Sequence, residues 1–222
     1  MHETTGALFS IGPVEVTGVV LTMWVITAIL VLLSWLATRK MEDVPGPLQT
    51  AAELSVSKLQ GYFEGILGKE LTEKYFPILA TMFIFIIVAN YSGLLPGAGH
   101  IKGFSVPTAC LSVTAALAVI SFFTVHTVGV KEQGVKAYLK SFLSLMLPLT
   151  LVEQVVRPFS MALRLFGNLF GEESVSENLY EIFPIIVPLV MQVLSLLFCF
   201  IQAMVFTMLM SIYIQEASGE EE

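Results

Sequence analysis

One arginine lies inside an apolar stretch of the chain, where a charge is costly. Arg164 stands within the run MALRLF at positions 161–166, and the nearest loop begins eight residues away. An ionisable side chain at the centre of a membrane helix costs about 2.5–3.5 kcal/mol on insertion scales. An arginine close to a membrane surface can extend its side chain into water, but the distance to the loop argues against that here. Arg164 therefore predicts a functional group within a membrane.

Polar side chains accompany Arg164 at helical spacing. Positions three or four apart share one face of a helix. The residues on this face are Glu153, Arg157, Ser160, Arg164 and Asn168. Lipid does not solvate such a stripe, so we expect it to line water or another protein. Glu172 continues the stripe roughly, whereas Glu173 would point away if the helix stayed ideal past Gly171.

The guanidinium group suits one kind of chemistry. Its pKa exceeds about 12, so it cannot shuttle a proton and stays charged. It can instead hold a fixed positive field that lowers the pKa of a nearby carboxylate. The sequence offers no Asp or Glu at the depth of Arg164. The complementary carboxylate is therefore expected on another chain, which predicts a subunit of a complex.

The last apolar run repeats the polar pattern more weakly. Its stripe consists of Gln192, Ser195, Cys199 and Gln202. Single Gln and Ser residues in membrane helices usually form hydrogen bonds between helices. Four such residues on one stripe favour a surface for a partner instead.

Composition agrees with a membrane location. The chain has 222 residues, of which 55% are hydrophobic and 13% charged, with a formal net charge of −7. The apolar residues form long runs, as membrane spans do. A nucleic-acid partner is not expected, because no basic patch with interleaved aromatics occurs. Neither metal-ligand spacing nor a phosphate-binding or nucleophile motif is present, so we expect no cofactor and no catalytic site.

We predict an all-α membrane protein that forms a single domain over residues 1–222. Five runs can cross a bilayer: residues 16–37, 76–95, 106–128, 142–171 and 182–214. The other segments are an outer N-terminal segment at 1–15, an interfacial amphipathic helix at 47–68 and an inner acidic tail at 215–222.

The last two runs are longer than a bilayer needs. Residues 182–214 number 33, about 50 Å as a helix, whereas the hydrocarbon core is about 30 Å thick. A mild tilt does not absorb this surplus. We therefore expect the fourth and fifth spans to form a long, strongly tilted hairpin.

Basic residues in the loops predict an orientation. They cluster after the first span and after the third, at Arg39, Lys40, Lys58, Lys69, Lys74, Lys131, Lys136 and Lys140. By the positive-inside rule, the N-terminus is outside and the C-terminus is cytoplasmic. The first fifteen residues contain no Lys or Arg, so they lack the basic region of a secretory signal, and the first run is expected to remain as a span.

The segment RPFSMALRLFGN at positions 157–168 resembles subunit a of the F-type ATP synthases. The resemblance extends to NYSGLLP at 90–96, ATR at 37–39 and QAMVF at 202–206. It implies a stator that faces a rotating ring of c subunits, each with a carboxylate at mid-membrane. The expected location is a bacterial inner (plasma) membrane, and a plastid or mitochondrial membrane is the alternative. Peripheral-stalk b subunits, a soluble ATPase head and membrane lipids are the other partners implied.

The resemblance also implies roles for single residues. Arg164 would be the essential arginine, Asn168 the asparagine one turn later and Gln202 the polar residue that faces the arginine. Ser160 and Arg157 would lie towards the inner half-channel, the aqueous path from mid-membrane to the cytoplasm. The implied carboxylate of the outer half-channel is Glu173.

This chain departs from the family pattern at two places. Glu172 and Glu173 are adjacent, so either can carry the outer path. Some bacterial members have a histidine on the last span where this chain has Ser195, so the outer relay would rest on water, Gln192 and the glutamates.

The resemblance implies an ion-translocating stator with two offset half-channels that Arg164 separates. The ion, a proton or Na⁺, stays open. A stand-alone ion-coupled transporter is the alternative, although the two halves of the chain show no internal repeat. A purely structural scaffold would not explain the charged stripe.

Overall fold

The computed structural model describes residues 7–11, 14–39, 46–94, 106–142, 156–157, 159–167, 171 and 186–219. Helices dominate these residues. In chain order the elements are β1 (Ala7–Ile11), β2 (Val14–Thr17), α1 (Gly18–Thr38), α2 (Pro47–Ser92), a short 3₁₀ helix (Pro107–Ala109), α3 (Leu111–Gln133), α4 (Val135–Phe142), α5 (residues 156–157, 159–167 and 171) and α6 (Ile186–Ser218).

A two-stranded antiparallel hairpin precedes the first helix. Strands β1 and β2 pair in the register Ala7 to Thr17 and Ile11 to Val14. The all-α expectation is therefore wrong for this part of the N-terminal segment. Helix α1 follows at Gly18 and matches the predicted span at 16–37 closely. Its 21 residues extend about 32 Å, enough for the hydrocarbon core.

Helix α2 joins two elements that the sequence suggested were separate. The helix runs from Pro47 to Ser92, and its one non-helical residue is Gly68, with φ 76° and ψ 170°. The predicted amphipathic helix therefore ends at this kink, but the next segment begins directly after it rather than at residue 76. The predicted end of that span, residue 95, lies outside the described residues.

Helix α3 continues past the predicted end of the third span, residue 128, to Gln133. Gly134, with φ 81°, then permits a turn that other residues adopt reluctantly. The following helix α4 was not expected, because all of its residues except Phe142 were assigned to a basic loop. It packs closely on α3: a Cβ placed on Gly129 would lie 2.3 Å from the Tyr138 ring.

The two long predicted spans are described unequally. Residues 156–157, 159–167 and 171 are helical, and the rest of the predicted span at 142–171 lies outside the described residues. Helix α6 has 33 residues, about 50 Å of helix. It ends at Ser218, so the predicted acidic tail begins within this helix.

The core lies where α6 packs against α2 and α3. Phe63, Leu71 and Ile86 of α2 meet Phe206 and Met210 of α6 in a single apolar cluster. Within the described residues, four helices are long and apolar enough to cross a membrane: Gly18–Thr38, Gln49–Ser92, Leu111–Gln133 and Gln192–Ser218. The chain is therefore a multi-pass membrane protein, with the fourth predicted span, at 142–171, lying mostly outside the described part.

Candidate functional site

Helix α5 has one buried face and one exposed face. Met161 and Leu165, four residues apart, are buried in the core, as the 3.6-residue period requires. Ser160 and Arg164, also four apart, are exposed about 100° around the helix from that pair. Phe159 and Leu163 flank them and are 63% and 44% exposed. The polar pair thus lies on an outer, otherwise apolar surface of this chain.

The guanidinium group of Arg164 has no counter-ion within the described residues. The ion pairs found there join Lys74 to Glu70 and Glu132, and Arg157 to Glu216. An arginine on an apolar surface inside a membrane requires an anionic or polar partner. The exposed face of α5 therefore fits a surface that another chain covers.

The Arg157 side chain turns from the predicted stripe towards α6. Its guanidinium group donates a hydrogen bond to Glu216 and lies 4.6 Å from the centroid of the Tyr213 ring. Both contacts are on α6, so Arg157 ties α5 to the C-terminal end of that helix. A cavity of about 20 Å³ beside it is lined by Arg157, Tyr213, Ser121 and His126 among others. This volume is enough for one water molecule.

The polar stripe of α6 faces inward. Ser195, Cys199 and Gln202 are buried, with 3%, 1% and 6% of their surfaces exposed. Gln192 is exposed, and its amide donates a hydrogen bond to the carbonyl oxygen of Leu94 at 3.2 Å. The expectation that this stripe forms a surface for a partner is therefore wrong for its three buried members. The exposed face of α6 is apolar instead, with Val190, Val193, Leu194, Leu197 and Ile201.

Two residues of α2 contribute to this buried polar region and were not among the predicted site residues. Asn90 donates from its amide to the carbonyl oxygen of Cys199 at 3.3 Å, and the Tyr91 hydroxyl donates to that of Leu196 at 3.3 Å. Asn90 Oδ1 and Gln202 Nε2 are buried and have no hydrogen-bond partner among the described residues. A signal was present in the sequence, since Asn90 is an amide residue within an apolar run.

Three predicted site residues, Asn168, Glu172 and Glu173, lie outside the described residues. Among the described residues, no group of three or more His, Cys, Asp or Glu residues is placed to hold a metal ion. The described part of the site thus consists of the exposed Arg164 with Ser160, of Arg157 paired with Glu216, and of the buried amides of Asn90 and Gln202 between α2 and α6.

An arginine on a membrane helix, with no counter-ion among the described residues, is typical of a protein that handles ions within the membrane. The sequence matches the family described as ATP synthase A chain over residues 20–215, and the chain belongs to this family.

Curated relatives match almost the whole chain. "ATP synthase subunit a 2" of Bradyrhizobium is 37% identical over 219 residues, covering 97% of this chain and 95% of the relative. "ATP synthase subunit a" of Moorella thermoacetica is 38% identical over 216 residues, covering 96% of both. The protein of the same name from Geotalea uraniireducens is 42% identical over 204 residues, covering 89% of this chain and 86% of the relative. Subunit a is a membrane subunit and not a catalytic one, as the sequence predicted.

Proposed function

We propose that the chain is the ion-translocating stator subunit of a rotary F-type ATP synthase, with Arg164 between two half-channels. The observation that carries this proposal is the exposed Arg164 side chain, which has no counter-ion among the described residues. Family membership supports it, since the matched segment at 20–215 includes this arginine. The partner implied is a rotating ring of c subunits, each with a mid-membrane carboxylate.

In the proposed cycle, a proton (or Na⁺) enters the outer half-channel and neutralises a ring carboxylate. The neutral carboxyl group can then rotate through lipid, where a charged one would be costly. After almost a full turn it reaches the inner half-channel and releases its ion. Arg164 attracts each arriving carboxylate in its charged form and prevents a direct leak between the half-channels.

Simple electrostatics supports this role. Two opposite charges about 4 Å apart attract by about 4 kcal/mol at an effective dielectric constant of 20. Since one pKa unit corresponds to about 1.4 kcal/mol, this attraction can lower the pKa of a carboxyl group by up to about three units. Because arginine does not deprotonate, it does so without accepting the proton.

We propose that the outer half-channel reaches mid-membrane through the buried polar region between α2 and α6. Asn90 contacts α6 at Cys199, and Gln202 follows three residues later. Buried polar atoms without a protein partner usually bind ordered water, which fits Asn90 Oδ1 and Gln202 Nε2. Glu172 or Glu173, with Ser195 and Gln192, would connect this region to the outside, and Asn168 would follow Arg164 by one turn.

The inner half-channel would begin on the exposed face of α5 at Ser160. Arg157 would contribute less directly, because Glu216 and Tyr213 hold it on α6. We place the N-terminus outside and the C-terminus in the cytoplasm of a bacterial cell, from the loop charges. Peripheral-stalk b subunits and a soluble ATPase head would complete the complex.

The test measures ATP-driven proton uptake by the whole complex in liposomes, followed with a pH-sensitive dye. We expect Arg164→Ala to abolish uptake while the subunits still purify together. Arg39→Ala is the matched control, since Arg39 stacks on Trp35 at the end of α1 and should pump normally. Undiminished proton uptake by the Arg164→Ala complex would contradict the proposed role of this arginine between the half-channels. A chain that purifies without any ATPase subunit would favour the transporter instead.

A further inference from the structure

A groove opens between α2 and α3 on the outer surface of the bundle. Its volume is about 510 Å³, and its lining includes Lys74, Ile78, Ile120, Phe123, Thr127 and Lys131. It is separate from the face of α5 that carries Arg164. The Phe123 side chain is 63% exposed at its wall.

In the predicted orientation, one end of the groove lies at the inner membrane surface. The Tyr75 hydroxyl donates to Glu132 at 2.7 Å, and Lys74 pairs with the same carboxylate at 3.3 Å. These contacts hold the first membrane turn of α2 level with the last turn of α3. Both of these helix turns belong to the predicted cytoplasmic side, which carries most of the basic residues.

The length of the groove matches one leaflet. Ile120 and Lys131 are eleven residues apart on α3, or about 16 Å along the helix. The hydrocarbon core is about 30 Å thick, so one leaflet contributes about half of that. A groove of this length matches a single acyl chain of one leaflet in extent.

The wall of the groove is apolar even where it carries hydroxyl groups. Thr124 donates to the carbonyl oxygen of Ile120 at 2.8 Å, and Thr127 to that of Phe123 at 2.7 Å. Both hydroxyls are thus satisfied within α3, and an acyl chain in the groove leaves none of them unpaired. At this depth the surrounding solvent is itself lipid hydrocarbon.

The open end carries a lysine, Lys131, that forms no salt bridge among the described residues. The Lys74 ammonium already has two carboxylates, Glu70 and Glu132, whereas the Lys131 side chain is exposed one residue before Glu132. Basic groups between membrane helices on the cytoplasmic side attract anionic headgroups, at about 1 kcal/mol per residue. Lys131 is therefore the group that would select the headgroup.

We propose that this groove binds one anionic phospholipid of the inner leaflet. The phosphate lies at Lys131, and one acyl chain runs along Phe123 towards Ile120. The site requires the chain to sit in a membrane in the orientation given above, but it does not depend on the half-channels. Translocation and lipid binding can therefore fail independently.

The test uses the purified complex in phosphatidylcholine vesicles that contain a phosphatidylglycerol probe with a photoreactive acyl chain. After illumination and digestion, labelled positions are mapped within residues 111–133. We expect labelling near Phe123, stronger than with the phosphatidylcholine version of the probe. Lys131→Gln should lower phosphatidylglycerol labelling about fivefold, the factor equivalent to about 1 kcal/mol. Lys136→Gln removes the same charge from the exposed surface of α4 and should leave labelling unchanged.

A second variant tests the groove without altering charge. Thr127→Phe places a ring in the groove from an exposed position and should reduce labelling by both probes. Equal labelling by the two headgroups in the unmodified chain would overturn the proposal, and so would equal effects of Lys131→Gln and Lys136→Gln. A photoreactive residue at position 123 that cross-links to another subunit instead of lipid would also overturn it. The Arg164→Ala complex should be labelled normally by the lipid probe even if it cannot pump protons.

Discussion

At the scale of single residues, the two arginines of α5 illustrate what spacing can and cannot reveal. Arg157 and Arg164 are seven residues apart, so the sequence assigned them to one helix face and one stripe. In the structure Arg164 is exposed, whereas Arg157 contacts Glu216 and Tyr213. A long side chain near a neighbouring helix can turn to a partner that periodicity does not reveal. Because Glu216 is distant in sequence, only the fold brings the pair together.

The Arg157–Glu216 pair gives a prediction at this scale. Arg157→Glu would place two carboxylates together and should destabilise the packing of α5 on α6, by roughly 1–3 kcal/mol, between values for exposed and buried pairs. Combining it with Glu216→Arg should restore most of the lost stability. The measurement is the fraction of the chain that stays in the purified complex after graded heating. Arg39→Glu is the control, because Glu216→Arg should not compensate for it; compensation there would contradict a specific pair.

At the scale of elements, apolar length predicted α1, α3 and α6 within a few residues. The errors occurred where the sequence is polar or short. Residues 69–75 contain four charges and were not assigned to a helix, although Lys, Glu and Leu are good helix formers and the segment is helical. The β1–β2 hairpin had a signal, since Phe9, Ile11, Val14 and Val16 alternate around a Gly-Pro pair. Helix α4 depends on its packing against Gly129, which the sequence does not reveal.

The kink of α2 provides a prediction about a single element. Gly68 has φ 76° and ψ 170°, a region that is almost restricted to glycine, so Gly68→Ala should destabilise the chain by about 1–3 kcal/mol. Gly65→Ala is the matched control three residues earlier, within regular helix and with nothing within 4 Å of an added Cβ. It should be neutral or stabilising by up to about 1 kcal/mol. Thermal unfolding of the complex measures both; equal effects would mean that Gly68 sets no kink.

At the scale of the whole molecule, we propose that a surface of another chain completes the site. The sequence predicted this from Arg164, which lacks a carboxylate at its own depth. The structure adds the direction of the missing surface: Leu163 of α5 and Val193 and Leu197 of α6 are exposed. It also assigns Gln202 and Ser195 to the interior, which periodicity alone could not distinguish from a partner surface. Spacing in the sequence shows which side chains share a helix face, but only the fold shows what that face contacts.

Disulfide cross-linking tests which outer face meets the ring. In a background with Cys110 and Cys199 replaced by alanine, Leu163→Cys should form a disulfide with a cysteine placed beside the carboxylate of a c subunit, because the two positions would pass within bonding distance, with Cβ atoms about 4 Å apart. Val31→Cys on α1 is the control; its side chain is 64% exposed, so a random collision would cross-link it at least as well. Ring-linked products from Leu163→Cys alone would show that the α5 face meets the ring. Equal yields of cross-linked product from both positions would contradict that contact, because solvent exposure alone would then explain the cross-linking. Products from Val31→Cys alone would contradict it as well.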